Sequence, residues 1–155
     1  MIVYLNDINV ALADEILAIQ IPSYNIEATL IGFSEIPQLK DSVDSIMMSG
    51  ESFIGYRLEH EWTGFLSYSV ERDTMEICRL VVHPRYFRKG VGGKLIKASL
   101  ALASGKKITV STGSKNQPAL NLYRHFGFEK VNEIEIAPGV LLSLLERTVN
   151  DKELT

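Results

Sequence analysis

The sequence predicts a mixed α/β domain in the order β-α-α-β-β-β-α-β-α-β-β, with about seven strands and about four helices, and three observations support this. Residues 51–82 hold three consecutive apolar-rich runs separated by short polar turns, as in an antiparallel meander. The last run, MEICRLVV, is almost continuously apolar and reads as a central strand covered on both faces. A glycine-rich turn, a helical pattern and a further strand pattern, KKITVS, follow it in the order of a crossover to a parallel neighbour.

The elements can be justified in turn. Residues 1–5 form a short apolar strand, and Asn6 or Asp7 is placed to cap a helix running to about Gln20, with Ile8, Leu12, Ile16 and Ile19 at helical spacing. Pro22 is expected to stop that helix, because a proline interior to a helix removes a hydrogen bond and crowds the preceding turn. Residues 23–35 are irregular in pattern and expected to border a ligand site, and a second helix is expected across 37–48. Strands follow at 51–59, 62–71 and 75–82. Residues 90–103 carry Val91, Leu95, Ile96, Ala98, Leu100 and Leu102 on a helix ended by Gly105. Residues 107–111 form a strand, 117–126 a short helix closed by Gly127, and 129–136 and 140–149 a final strand pair around Pro138 and Gly139. Residues 1–150 read as one domain and 151–155 as a frayed tail.

A chain of 155 residues can bury a core without disulfides or metal. Its net charge of −3 argues against a nucleic-acid-binding surface, which needs a broad basic face. Cys78 has no partner for an internal disulfide and is expected to pack as a small buried side chain, which suits a reducing, cytoplasmic setting. Neither a signal peptide nor a membrane span is predicted, and three scattered histidines with one cysteine do not make a zinc site.

The positive charge is local. In ICRLVVHPRYFRKGVGGKLIKASLALA the turn carries Arg85, Arg88, Lys89 and Lys94 around Gly90, Gly92 and Gly93. The first amides of a helix lack intrahelical partners and carry partial positive charge, so this turn can cradle a phosphate. Without a Cβ, glycine would let the ligand approach closely. The loop lies too late in the chain, and the next strand ends in Ser111 and Thr112 rather than an acidic residue, so it does not fit a dinucleotide-binding βαβ unit. No lysine is followed by Ser or Thr, so it is not a Walker loop either.

LVVHPRYFRKGVGGKLI joined to SKNQPALNLYRHFGFEKV resembles the GNAT superfamily of acetyl-coenzyme A dependent N-acetyltransferases, over nearly the whole chain. The resemblance implies a GNAT-like sheet whose fourth and fifth strands splay apart, with acetyl-CoA as cosubstrate and no metal. It implies that Arg88, Lys89, Gly90, Val91, Gly92 and Gly93 surround the pyrophosphate. The pantetheine arm would add to the edge of the fourth strand at Leu80, Val81 and Val82, opposite Ser111 and Thr112. Asn116, Ala119 and Tyr123 would lie beside the coenzyme. The family's usual Gln or Arg three residues before the first glycine is Phe87 here, a departure that bears on one side-chain contact.

The resemblance further implies Tyr123 as the group that protonates the leaving thiolate and Glu76 as the base that takes the amine proton. Beside Met75, Ile77 and Cys78, Glu76 is expected to be desolvated and suited to accepting a proton near neutral pH, unless Arg79 pairs with it. His83 reads as a turn residue and His125 as a helix-end residue. Tyr24, Glu27, Tyr68 and Glu133 are candidate contacts for a small-molecule or peptide amine acceptor. The final strand, GVLLSLLE, could form a homodimer surface or be buried in the sheet. The expected activity is acetyl transfer to a primary amine by direct attack. The alternative is a coenzyme A-binding sensor or interaction module without catalysis.

Overall fold

The structure is a computed structural model describing residues 1–149. A seven-stranded sheet in the order β1-β2-β3-β4-β5-β7-β6 runs through it. Its strands are β1 (Ile2–Leu5), β2 (Ser52–Leu58), β3 (Glu61–Glu71), β4 (Thr74–Val82), β5 (Lys107–Gly113), β6 (Glu129–Ala137) and β7 (Val140–Thr148). The helices are α1 (Val10–Ile31), α2 (Val43–Met47), α3 (Val91–Leu102) and α4 (Gln117–His125). The element order and strand count expected from the sequence are those observed. The expected tail at 151–155 lies outside the described residues. No helix among the described residues is long and apolar enough to cross a membrane.

Two apolar cores lie on opposite faces of the sheet, as alternation along a strand requires. Leu66, Ile77, Leu95, Ile96, Ile108 and Leu145 pack together on the α3 face. Ala13, Ile16, Ile19, Phe53, Phe65 and Val81 pack on the α1 face. Each fully buried aliphatic side chain of this kind contributes roughly 1.5–3 kcal/mol relative to exposure.

Three expectations for the first half of the chain are corrected. The cap of α1 is Asn9, whose side chain accepts from the Leu12 N–H, rather than Asn6 or Asp7. Pro22 does not end α1, which continues to Ile31 and stops at Gly32 in the left-handed region. The stripe Ala13, Ile16, Gln20, Tyr24 and Ile31 keeps its helical spacing across the proline and is buried throughout, so tertiary burial outweighs the missing hydrogen bond. Residues 37–48 are a 3₁₀ turn at Pro37–Lys40 and a short α2, not one helix, because Ser42 starts a new capping box with Ser45.

A bulge in β4 sets up the centre of the molecule. Arg79 pairs with Ser67 and Ile77 with Tyr68, leaving Cys78 as an extra residue. Before it Met75 and Ile77 face the α3 core; after it Val81 faces the α1 core and Leu80 and Val82 face α3. Just upstream, the parallel pairing of β4 with β5 ends at Glu76 opposite Thr109, and the two strands then part.

Candidate active site

At the start of α3 the backbone is shaped to present amides. Arg88 and Gly90 have φ of 62° and 80°, both left-handed, and turns containing such residues gather successive N–H groups on one concave side. The first backbone bond into α3 is Lys94 N–H to the Gly90 carbonyl. Among the described residues, no acceptor takes the N–H groups of residues 88–93.

The glycines have separate causes. A Cβ on Gly90 would meet open space, so its positive φ is what favours glycine there. Gly92 and Gly93 instead admit α4, since a Cβ at either would lie 3.2 Å from Leu122 or 3.3 Å from Phe126. Close helix packing therefore accounts for two glycines that the sequence suggested were cleared for a ligand.

The turn opens into a cleft of about 1190 Å³ that follows the split between β4 and β5. Arg88, Gly90, Val91, Gly92, Gly93, Leu80, Val82, Asn116, Ala119, Tyr123 and Glu76 all line it. Val81 does not: its side chain is buried in the α1 core, which leaves only its main chain as a contact. Lys94 is turned away, its Nζ donating to the Tyr56 hydroxyl at 2.9 Å over that ring. Lys89 lies over the Tyr86 ring at 5.6 Å. His83 is a turn residue, its Nδ1 accepting from the Arg85 N–H, and His125 is the last residue of α4.

The second half of α1 lies across the split. Ile31 meets Gly113 at the end of β5, where any Cβ would collide with it. One turn earlier, Glu27 Oε1 accepts from the Thr112 hydroxyl and from Asn116 Nδ2, each at 3.0 Å. Asn116 also caps α4 by accepting the Ala119 N–H at 3.3 Å, so one side chain ties α1 to α4. Tyr24 and Tyr123 are buried beside this group, and Tyr123 stands edge-on to Phe128 at 5.6 Å. Burial first, then the nearby Glu27 carboxylate, pushes the Tyr123 phenol well above the usual tyrosine value. Tyr24 is raised by the same two causes in the same order. Both phenols therefore hold their protons at neutral and mildly alkaline pH.

Glu76 and Arg79 differ from expectation. Glu76 is exposed on the α1-side surface of the cleft, so its neighbours do not desolvate it. Arg79 does not pair with it. The β4 bulge sends Arg79 into the protein, where Nε bonds Glu51 at 2.8 Å and Nη1 bonds Gln20 Oε1 at 2.9 Å and Asp41. Gln20 in turn donates to the Gln38 carbonyl and to Asp41, so α1, the 33–42 segment and β4 share one buried network. Cys78 is half-buried at the bulge rather than packed in a core, and burial pushes its thiol up.

Of the acceptor candidates, Tyr24 and Glu27 line the cleft. Tyr68 instead packs against the α3 core, and Glu133 is paired with Lys130 at the surface. Sequence reading missed the network of Gln20, Asp41, Glu51 and Arg79 and the Glu27–Thr112–Asn116 link. A polar Gln20 in the middle of an otherwise apolar helical stripe was the one signal pointing to the network.

Comparison with known proteins agrees with this architecture. The model of the acetyltransferase (GNAT) family matches residues 14–128. UPF0157 protein YqkA of Bacillus subtilis is 42% identical over 145 residues, which is 93% of this chain, but the chain spans only 42% of that protein's length. Among solved structures, smu.2055 of Streptococcus mutans superposes with a TM-score of 0.78 at 18% identity, covering 96% of this chain and 99% of that one. The ribosomal-protein-S18-alanine N-acetyltransferase of Escherichia coli gives 0.75 at 14% identity, over 97% and 95% of the two chains. An aminoglycoside 6'-N-acetyltransferase complexed with coenzyme A gives 0.74 at 12% identity, over 96% and 97%. At such identities the structural matches speak for the fold; the family model, matching most of the chain, makes this protein a member of the GNAT acetyltransferase family.

Proposed function

We propose that the protein is an acetyl-CoA dependent N-acetyltransferase that transfers the acetyl group to a primary amine by direct attack, both substrates being bound together. One coincidence carries the reading: unpartnered amides at residues 88–93 adjoin a strand edge left open at Leu80 and Val82. The first feature fits a diphosphate and the second fits an amide-bearing arm that adds like a strand. Acetyl-CoA would supply the acetyl group as a thioester, whose leaving thiolate needs a proton.

In this reading the amides of Arg88, Lys89, Gly90, Val91, Gly92 and Gly93 hold the diphosphate, with Arg88 adding charge. Leu80, Val81 and Val82 offer main-chain partners to the arm, while Asn116 and Ala119 border it. Glu76 accepts the proton that the ammonium loses on becoming the attacking amine. The new C–N bond forms as the C–S bond breaks; Tyr123 donates its phenolic proton to the departing sulfur, and the proton that the nitrogen sheds on becoming an amide restores the phenol. Its elevated affinity for that proton keeps the phenol loaded across the working pH range. Similarity to enzymes named for aminoglycoside and ribosomal-protein N-acetylation supports an amine acceptor.

The test is calorimetric titration with acetyl-CoA followed by thiol release across an amine panel. Saturable binding with amine-dependent thiol release is expected. Tight binding without release from any amine would favour a coenzyme A-binding module, the reading suggested by Phe87 in place of the family's polar residue. No binding at all would overturn both.

A further inference from the structure

The acceptor end of the cleft has a composition of its own. Among the described residues the only basic side chains lining the cleft are Arg79 and Arg88. Arg79 is consumed by Glu51 and Asp41, and Arg88 lies at the α3 turn. The lining carboxylates are in different states. Glu35 pairs with Lys40 at 2.9 Å, Glu51 pairs with Arg79, and Glu146 lies 3.5 Å from Lys107. Glu27 is held by the neutral Thr112 and Asn116, and Glu76 has no ion pair among the described residues. The inner end therefore carries two carboxylates without countercharge, and no free cation that would welcome an acidic acceptor.

Beyond the carboxylates the cleft turns apolar. Ile26 and Leu30 project from α1 into it, although they are 39% and 44% exposed. Facing them is the β6–β7 hairpin, whose edge strand β6 breaks register twice. The unpaired residues at those two breaks are Val131 and Ile136, and both line the cleft while remaining 54% and 43% exposed. Bulges re-aim side chains, and here both re-aimed side chains are apolar and solvent-facing, a costly choice on an edge strand unless something covers them.

Resting on the acetyltransferase reading above, we propose that the acceptor is a primary amine on an extended apolar body. Its ammonium is drawn by Glu27 and Glu76, and its alkyl or aryl body lies between Ile26 and Leu30 on one side and Val131 and Ile136 on the other. Polyamines and polyhydroxylated amines fit less well, because their additional polar groups would lie along this apolar stretch without partners.

Two measurements test this. In the first, kcat/KM is compared for ethyl-, butyl-, hexyl- and octylamine and phenethylamine, with spermidine and lysine as polar controls. Specificity should rise about fourfold per added methylene until the cleft is filled, the factor equivalent to about 0.8 kcal/mol per buried methylene. In the second, octylammonium and ethylammonium are titrated calorimetrically into the protein saturated with CoA, where no transfer can occur. Octylammonium should bind at least tenfold more tightly, and Ile136→Asn should cut that preference several-fold. Release of thiol with polar amines and no gain from chain length would overturn the inference and leave N-acetyl transfer standing. Absence of thiol release with every amine, alongside preferential octylammonium binding, would overturn the transfer reading and support the apolar site. Equal binding of the two ammonium ions would overturn the inference whatever the kinetics.

Discussion

The two ends of the cleft are built from different materials. At the α3 end the contacts on offer are backbone N–H groups, placed by a left-handed Gly90 and by glycines that admit α4. At the α1 end they are side chains: Glu27 and Tyr24 from one helix, Glu76 from β4, and Val131 and Ile136 from the edge strand. A site made of main chain tolerates changes of side chain but few changes of backbone shape. A site made of side chains can be respecified residue by residue on an unchanged frame, the arrangement expected where one cosubstrate is fixed and the other differs among relatives.

Tyr123 sits between the two ends, and Tyr123→Phe sharpens the contrast most. Turnover should fall by about 10²–10⁴-fold while the affinity for acetyl-CoA, measured by calorimetry, changes little, because the amides of the turn are untouched. Unchanged turnover would remove the tyrosine from the chemistry. A parallel loss of binding would show that the two ends are not separable.

Arg79→Met probes the frame of the α1 end. It strands the carboxylates of Asp41 and Glu51, whose side chains are only 14% and 16% exposed, and should lower stability in urea by about 3 kcal/mol. The smaller Gly93→Val change acts at the other end. The added atoms meet Phe126 and should cost about 1–2 kcal/mol in thermal unfolding, with weakened acetyl-CoA binding as α3 shifts.

The smallest expected effect is acid-dependent. Burial raises the Asp41 carboxyl, but hydrogen bonds from Ser45, Arg79 and Gln20 outweigh it and hold the group below its ordinary value. Asp41 thus contributes stability above about pH 4, the unfolded value, and that contribution is lost as pH falls through the lower folded value. Asp41→Asn should flatten this acid limb of the stability curve, and an unaltered limb would mean the network is not sensed there.

The same contrast explains what could be read in the sequence. The α3 turn was legible because left-handed backbone and close helix approach each demand glycine, so Gly90, Gly92 and Gly93 leave a trace within a short window. The run β2-β3-β4-β5 followed from the meander and the crossover, whereas the places of β1 at one edge and of β7 between β5 and β6 are nonlocal and left no mark in the sequence. The α1 end was not legible, because its parts come from distant segments and its helix runs through a proline. Local rules stop a helix at Pro22, but the burial of Gln20 and Tyr24 against β4 and the 33–42 segment is nonlocal information. The place of Arg79 was hidden for a related reason, since no pattern in MEICRLVV marks where the alternation skips a residue.

That extra residue gives the middle of β4 one position of spare length. Exchanging the thiol of Cys78 for a hydroxyl would alter one half-covered side chain. Excising the position would leave Ile77 opposite Tyr68 and Arg79 opposite Ser67 with no residue between them, so Arg79 and Val81 would stay on the α1 side and Leu80 and Val82 on the α3 side. Excising Leu80 instead would turn Val81 from its own core toward α3, so natural deletions in this strand should gather at the bulge, beside the open cleft, and be rarer beyond it.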